Sequence, residues 1–414
     1  MVKKCTNNDC CKPILKQKGR MAMGNCTIHF LPAMAGDCFV LEFVNKECII
    51  IDCGFKSTYT EYLRPLLIEL RDKGCWITLL LITHIDQDHI EGAIALLEEN
   101  GQANNPNVIP IYNVWFNGFF NTLLKRSEFS QRIRALSEEQ KQIKENILND
   151  LLMQVQGESQ EISAKYSMSF EELCLKNGYC LNFQFLDGTV KRIDINRSQV
   201  LTRSIPIGAC NLVVLSPNDK ELDKLADTLN LEMIRNFGVD YAISEDSHFM
   251  KLFELFMEHE AERINREEFI SATNENLENW LGTSSMAPMN AINRASIVVE
   301  IQYKDLKMLF TGDSDSALWY EYLEEKYQVI KLSHHGTAYP NRALLNHSRA
   351  DVLLISTNGG RGKRHPEKET LAQAILAGNK VLYCNYDIPQ QDILEKLQKK
   401  YGYYIVYDQR KIEV

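Results

Sequence analysis

Apolar and polar positions divide the chain into short strands and amphipathic helices. Residues 26–31, 38–43 and 47–52 are short apolar segments separated by turn residues, which predicts three adjacent strands. Residues 58–73 place apolar side chains three to four positions apart, which predicts a helix. Residues 76–83 form a continuously apolar run, which is typical of a strand buried on both faces.

Strands and helices continue to alternate toward the C-terminus. The further predicted strands are 109–116, 181–185, 212–215, 296–303, 306–311, 328–333, 352–356 and 380–384. Helices are predicted over 341–347 and 366–377. Two strand-rich halves flanked by helices favour an α/β fold, a four-layer αββα sandwich, over two independent domains.

Three stretches differ from this pattern. Residues of about 119–180 and 219–283 are rich in charged side chains and Leu, and they predict two helical insertions in a single domain over 21–414. Residues 1–20 are basic without the apolar core of a secretory signal, which predicts a flexible tail. No apolar run approaches the ~18 to 20 residues of a membrane span, so we expect a cytoplasmic protein without membrane contact.

Twelve cysteines raise the question of disulfides or a zinc site. Cys5, Cys10 and Cys11 lie together in the tail, but the chain has no CxxC pair to complete a zinc site. Several others lie in apolar strand-like runs, where a thiol behaves as a small hydrophobic group. Reduced structural cysteines are the favoured interpretation, and a metal site in the tail or redox chemistry are the alternatives.

The densest cluster of chemically active side chains follows the apolar run 76–83. Two histidines and two aspartates fall within six residues, directly before a predicted helix: His84, Asp86, Asp88 and His89. Imidazole and carboxylate are the ligands of hydrolytic metals, and such a set can hold a pair of cations. Capping of the helix is the structural alternative, but it accounts for one aspartate only. The cluster therefore predicts metal binding.

This run reads HxDxDH and resembles the HxHxDH signature of the metallo-β-lactamase superfamily, with Asp86 in place of the middle histidine. The HxDxDH form is similar to the nuclease-like domain of the ComEC competence proteins and their stand-alone soluble relatives. The resemblance spans residues 27–384 in order, outside the two insertions. The other matching segments are Ala35-Gly36-Asp37-Cys38, Ile51-Asp52-Cys53-Gly54, Asn293 with Ser296, Leu309-Phe310-Thr311-Gly312-Asp313, Lys331-Leu332-Ser333-His334-His335-Gly336-Thr337 and Arg364-His365-Pro366.

The resemblance implies a two-metal hydrolase site. Its direct metal ligands would be His84, Asp86, Asp88 and His89. Asp313 would bridge the two cations, and Asp52 would orient a ligand imidazole, as carboxylates beside metal-bound histidines do.

Three later histidines are candidates for metal binding or proton transfer beside Asp88. Neighbouring side chains of a regular strand point to opposite faces, so His334 and His335 cannot both face the metals if the strand stays regular. We keep both and prefer His334 as the metal ligand. His365 precedes Pro366, which is typical of a helix start, and it could contact substrate or metal or simply cap the helix.

One position departs from the superfamily pattern. Many members supply a further histidine ligand from the strand before the second insertion, where this chain has Ser216. Serine is a poor metal ligand, and Asp86 makes the site richer in oxygen. Harder ligands favour Mn²⁺, with Zn²⁺ or Mg²⁺ as alternatives.

A glycine-rich basic loop follows the strand 352–356. Its cations are Arg361, Lys363 and Arg364. The spacing is not that of a P-loop, but exposed backbone N–H groups beside Arg and Lys suit phosphate oxygens. A solvated basic loop without a ligand is the alternative interpretation.

Taken together, these features predict a phosphodiesterase, most specifically a nuclease that cleaves DNA with a metal-activated hydroxide. A formal net charge of -9 argues against a DNA-coating surface and leaves room for a small substrate such as a cyclic nucleotide, a lactone or a thioester. Stand-alone relatives of the resembled group occur in bacterial antiviral defence systems. That resemblance implies a third alternative, an effector subunit that needs a protein partner, bound through the helical insertions.

Overall fold

The computed structural model describes residues 24–118, 163–196, 201–226, 276–284, 289–360 and 364–414. In these ranges the strands are β1 (Cys26–Phe30), β2 (Cys38–Phe43), β3 (Glu47–Cys53), β4 (Trp76–Leu81), β5 (Val114–Trp115), β6 (Asp194–Asn196), β7 (Leu201–Thr202), β8 (Ser204–Ile207), β9 (Cys210–Ser216), β10 (Val298–Tyr303), β11 (Leu306–Phe310), β12 (Lys326–Lys331), β13 (Arg349–Ile355), β14 (Val381–Cys384), β15 (Tyr404–Val406) and β16 (Lys411–Glu413).

Helices connect and flank these strands. In the same ranges they are α1 (Lys56–Thr58), α2 (Arg64–Asp72), α3 (Gln87–Asn100), α4 (Ser163–Lys176), α5 (Ala291–Arg294), α6 (Ala338–His347), α7 (Lys368–Leu376) and α8 (Gln391–Tyr401). A π-helical turn, Tyr59–Leu63, joins α1 to α2, so the predicted helix 58–73 is continuous. No helix in the described part of the chain is long and apolar enough to cross a membrane.

The strands form two large sheets and one small one. The first sheet has the order β16-β1-β2-β3-β4-β5, and the second has the order β15-β14-β13-β12-β11-β10-β9-β8. The strands β1 to β3 are antiparallel, whereas β3, β4 and β5 are parallel. The second sheet likewise changes from antiparallel pairs to parallel pairs at β11. Its parallel strands therefore end at one common edge.

The two sheets pack face to face through alternate residues of their strands. In β2, Phe39 and Phe43 point to the second sheet, and Val40 between them points to the helices. The Phe39 ring packs edge-on against Phe310 at 5.3 Å, and the Phe43 ring lies 4.6 Å from Tyr303. Burying such rings on both faces of one interface is a main source of stability for a layered fold.

Helices cover the outer face of each sheet. Leu67 of α2 and Leu96 of α3 are buried against the first sheet, and Leu344 of α6 and Leu371 of α7 are buried against the second. The order of layers is therefore helices, sheet, sheet, helices. The predicted αββα sandwich is confirmed.

One predicted strand is wrong, and another is shorter than expected. Residues 181–185 form turns, because Asn182 adopts a left-handed backbone (φ 54°) and its side chain donates to the carbonyl of Phe116. The predicted strand 109–116 is reduced to Val114–Trp115, and before it Ile111 forms an isolated bridge with Ile77. The pairing of β16 with β1 had no clear signal in the sequence.

The predicted tail 1–20 and most of the predicted insertions 119–180 and 219–283 lie outside the described residues. The described end of the first insertion is α4, which packs on the body. Phe170 meets Phe116 edge-on at 5.1 Å, and the Tyr166 hydroxyl accepts a hydrogen bond from Gln87 at 3.0 Å. This helix therefore contributes to the core on the outer face of the first sheet.

Candidate metal centre

Polar side chains from both sheets meet where parallel strands end. Asp52 lies at the end of β3 and His84 follows β4, while Asp313 follows β11 and His335 follows β12. The two halves are joined at this edge, because the Ile297 N–H donates to the Thr83 carbonyl at 2.9 Å. Carboxyl ends of strands in open α/β sheets are a common place for ligand sites. The fold thus brings residues far apart in sequence to one point.

The loop after β4 leads directly into α3. Asp86 occupies the N-cap position, but its side chain makes no capping hydrogen bond. Its Oδ2 lies 3.5 Å from His84 Nε2 instead. The capping explanation of Asp86 is therefore not supported. Asp88 and His89 lie in the first turn of α3, where the helix dipole favours a carboxylate.

Asp52 orients the histidines of this loop. Its fully buried carboxylate accepts hydrogen bonds from Thr83 N at 2.7 Å, from Thr83 Oγ1 at 2.8 Å and from His89 Nδ1 at 2.8 Å. Because the single Thr83 hydroxyl proton goes to Asp52, Thr83 Oγ1 accepts from His84 Nδ1 at 2.9 Å. Both imidazoles are thereby fixed with Nε2 as the free nitrogen. This arrangement supports the orienting role implied for Asp52.

A third imidazole is oriented in the same way. His335 Nδ1 donates to the Ser356 carbonyl at 2.9 Å, so its Nε2 is also the free nitrogen. That atom lies 3.3 Å from Asp313 Oδ2, and His89 Nε2 lies 3.6 Å from the same oxygen. A lone pair facing a carboxylate is repulsive unless a proton or a cation lies between them. The donor set therefore fits metal ions.

Two buried imidazole nitrogens also indicate that the donor set suits a metal ion. His84 Nε2 and His89 Nε2 are buried, and neither has a hydrogen-bond partner among the described residues, although such groups almost always find one. Among the described residues, three groups of potential ligands have atoms within 4.8 Å of one another: His84, His89 and Asp313; Asp88, His89 and His335; Asp37, Asp52 and His89. The first two of these groups combine Nε2 atoms of the oriented histidines with carboxylate oxygens.

The charges of the site are coupled. Burial alone would lower the pKa of His89, but the carboxylates of Asp52, Asp313 and Asp88 outweigh it and hold this pKa well above its usual value. Burial likewise opposes the raised pKa of His335, which Asp313 causes. Without a cation, protonated imidazoles thus balance the carboxylates. Metal binding would displace those protons.

His334 and His365 lie on the outer side of this centre. His334 and His335 both have positive φ (45° and 55°), so the alternation of a regular strand does not apply and both side chains reach Asp313. His334 Nε2 lies 4.0 Å from Asp313 Oδ2 and 3.4 Å from Asn293 Nδ2. The ring of His365 lies 6.2 Å from that of His334. The structure places His335, rather than His334, among the grouped ligands.

Burial keeps both outer histidines neutral. It lowers the pKa of His334 to about 4 and that of His365 to about 3. His365 Nδ1 lies 3.4 Å from Thr337 Oγ1. Of the predicted basic loop, Arg364 is described, whereas Arg361 and Lys363 lie outside the described residues.

Sequence reasoning gave no role to two charged residues of the centre. Lys331 is the last residue of β12, is almost fully buried, and forms an ion pair with Asp37. Both residues belong to segments that carried the family resemblance. A lysine at the end of an apolar strand was a usable signal, because a buried ammonium needs a partner.

Ser216 ends β9, where the superfamily pattern has a histidine. It is buried, and its hydroxyl lies 3.3 Å from that of Ser314, next to Asp313 in the chain. Ser314 in turn accepts a hydrogen bond from the Trp319 indole at 3.0 Å. Ser216 is therefore part of a hydrogen-bonded network at this point of the chain.

The αββα fold with a centre of imidazoles and carboxylates at its strand ends defines a class of metal-binding proteins. Residues 31–144, about a quarter of the chain, match the family model described as Metallo-beta-lactamase superfamily. That match indicates a metal-dependent hydrolase and agrees with the superfamily resemblance of the sequence. It does not distinguish the ComEC-like group, which stays a prediction.

Comparison with solved structures found a weak similarity to the metallo-beta-lactamase fold protein YhfI from Bacillus subtilis. The two chains share 9% identity over 94% of this chain and 99% of that chain, with a TM-score of 0.36. No curated protein matches the chain.

Proposed function

We propose that the chain is a two-metal phosphodiesterase that acts on DNA. The main observation in favour of a metal centre is that the Nε2 atoms of three oriented histidines, His84, His89 and His335, lie close to the Asp313 carboxylate. One cation would be held by His84, Asp86 and Asp313. The other would be held by Asp88, His89, His335 and Asp313.

Charge supports a pair of divalent ions. Among the described residues, one ammonium, that of Lys331, opposes the five carboxylates of the centre and its immediate support. These carboxylates are Asp37, Asp52, Asp86, Asp88 and Asp313. With neutral histidines this leaves a formal excess of four negative charges, which two divalent cations balance. Buried charge without such compensation is strongly unfavourable.

Bound cations would supply Lewis-acid activation of water and neutralise charge on a phosphate. The chain itself positions the reactants. Asp88, with a side chain 24% exposed, lies between the buried histidines and solvent and can accept a hydrogen bond from the attacking water. His334 and His365 lie outside the metal groups, and as neutral imidazoles they are proposed to donate N–H hydrogen bonds to the substrate phosphate.

DNA as substrate is supported by the ComEC-like motifs and by the basic loop with Arg361, Lys363 and Arg364. The net charge of -9 implies that contact with the phosphate backbone is local rather than surface-wide. Protein partners that bind through the insertions would add regulation.

Alanine at all three basic positions of the loop tests this part of the proposal. We expect slower DNA cleavage with a flatter salt dependence, because each lost phosphate contact lowers the salt slope by about one unit. Replacing three exposed lysines outside the loop by alanine is the matched control. Lys380 lies just before β14, and Lys396 and Lys399 lie on α8. Equal salt slopes for the two triple variants would show that the loop does not contact DNA.

Metal preference gives a second expectation. Three of the six proposed ligands are carboxylates, which makes the site oxygen-rich, and we expect higher turnover with Mn²⁺ than with Zn²⁺. Metal-stripped protein would be reconstituted with each ion separately and assayed at equal occupancy. Equal or faster turnover with zinc would show that ligand hardness does not set the preference.

A further inference from the structure

A lysine is buried directly behind the candidate metal centre. The side chain of Lys331 is 1% exposed, and its ammonium donates to the carboxylate of Asp37 and to the Gly312 carbonyl at 2.8 Å. It also lies 3.6 Å from Asp313 Oδ1. A buried ammonium is strongly unfavourable unless it is paired and hydrogen-bonded. These three contacts meet that requirement.

The contact with Lys331 distinguishes the two oxygens of Asp313. Oδ1 faces the ammonium, whereas Oδ2 faces His335 at 3.3 Å and His89 at 3.6 Å. Because Asp313 Oδ1 accepts no hydrogen bond among the described residues, the attraction of Lys331 favours the carboxylate orientation in which Oδ1 faces the ammonium. That orientation directs Oδ2 to the imidazole nitrogens.

Asp37 reaches this ammonium from a different part of the fold, the turn before β2. Its Oδ2 pairs with Lys331, and its Oδ1 lies 3.9 Å from His335 Nδ1. A lysine without this partner would act with its full charge on Asp313 and repel cations bound there. Asp37 neutralises that charge inside the protein.

We propose that Lys331 and Asp37 form a positioning pair for the metal centre. Lys331 orients Asp313, and Asp37 neutralises Lys331 so that Asp313 keeps its charge for metal ions. Both residues act through Asp313. The inference rests on the proposed function, because it presupposes that the centre binds divalent cations.

Mn²⁺ binding to the metal-stripped full-length chain tests the pair, measured by calorimetric titration and by electron paramagnetic resonance. We expect the double variant Asp37→Asn with Lys331→Met to lose about tenfold or more in Mn²⁺ affinity, as other supporting residues of metal sites do. The net charge of the pair is unchanged in this variant, so the loss reports orientation. The spin-coupled signal of two Mn²⁺ ions sharing one carboxylate should weaken in parallel.

Asp37→Asn alone is expected to bind Mn²⁺ more weakly than the double variant, because the lysine charge is then unopposed. If circular dichroism shows that the double variant is unfolded, the near-isosteric Asp37→Asn variant still tests whether the pair affects Mn²⁺ affinity. The matched control is the double variant Lys307→Met with Glu324→Gln. It removes an ion pair of 2.9 Å between β11 and the residues just before β12. It should leave the affinity within about twofold, as a distant and partly exposed pair would.

Two results overturn the inference separately from the proposed function. Wild-type affinity and an unchanged resonance spectrum in Asp37→Asn and in the folded double variant would show that the pair is only scaffold. Failure of the wild-type protein to bind Mn²⁺ or any other divalent ion would overturn the metal centre itself, and the pair with it.

Discussion

Replacing Asp313 by asparagine is expected to lower the hydrolysis rate by about 10³-fold or more, because in the proposed centre this carboxylate would help to hold both cations. Asp313 Oδ2 lies 3.3 Å from His335 Nε2 and 3.6 Å from His89 Nε2, whereas the Asp88 oxygens lie 4.0 Å and 3.9 Å from these two nitrogens. Asp88 is therefore the more distant carboxylate from both imidazoles. Bound metal should fall from two ions to one or none per chain. Turnover numbers and elemental analysis of the dialysed protein measure the two effects.

Asp315→Asn is the matched control, two positions later in the same turn. Asp315 caps the following 3₁₀ turn through Ala317 N and pairs with Arg294 at 2.8 Å, outside the three ligand groups. It should retain both ions and lose less than about 2 kcal/mol of stability, the range for a lost cap. Equal loss of metal in both variants would mean that Asp313 has no special part in binding.

A second large effect is expected from Gly36→Ala. A Cβ atom at this position would lie 1.8 Å from the backbone oxygen of Asp88 and 2.6 Å from its carbonyl carbon. Backbone at the start of α3 cannot move aside without shifting the side chains of Asp88 and His89. We expect a loss of about 1–3 kcal/mol in stability from overpacking. Metal affinity should fall about 10- to 100-fold.

Ala35→Ser is the control for this turn, because it adds an atom at the neighbouring, half-exposed position. Thermal melting monitored by circular dichroism and Mn²⁺ titration compare the two variants. An unchanged metal affinity in folded Gly36→Ala protein would show that the close approach of this turn does not hold the metal-binding loop in place.

The fold could be predicted from the sequence because its strands have regular patterns. The alternation in β2 and the apolar run of β4 indicate which faces are buried, and the order of strands and helices indicates layers. Strand β16 and the turns at 181–185 could not be predicted. The pairing of β16 with β1 joins the two ends of the described chain, and Asn182 makes long-range hydrogen bonds that propensity does not report.

The metal-binding loop was also visible, because four ligand-type residues lie within six positions. The partners of those residues were not. The hydrogen bonds of Asp52 to Thr83 and His89 and the pairing of Asp37 with Lys331 join separate strands, and only the assembled sheets bring them together. Strand alternation would let only one of His334 and His335 face the metals, and the sequence does not decide which. Positive φ values at both residues remove that alternation.

Cleavage by the metal-stripped protein before and after addition of Mn²⁺ tests whether the chain is a metal-dependent nuclease. The substrates would be plasmid DNA, single-stranded DNA, RNA, a cyclic nucleotide and a lactone, with Asp313→Asn assayed beside the wild type. We expect DNA cleavage that requires Mn²⁺ and is absent from Asp313→Asn. Intact DNA with hydrolysis of the cyclic nucleotide or lactone would contradict the nuclease proposal, and Mn²⁺-independent cleavage of any substrate would contradict the metal centre.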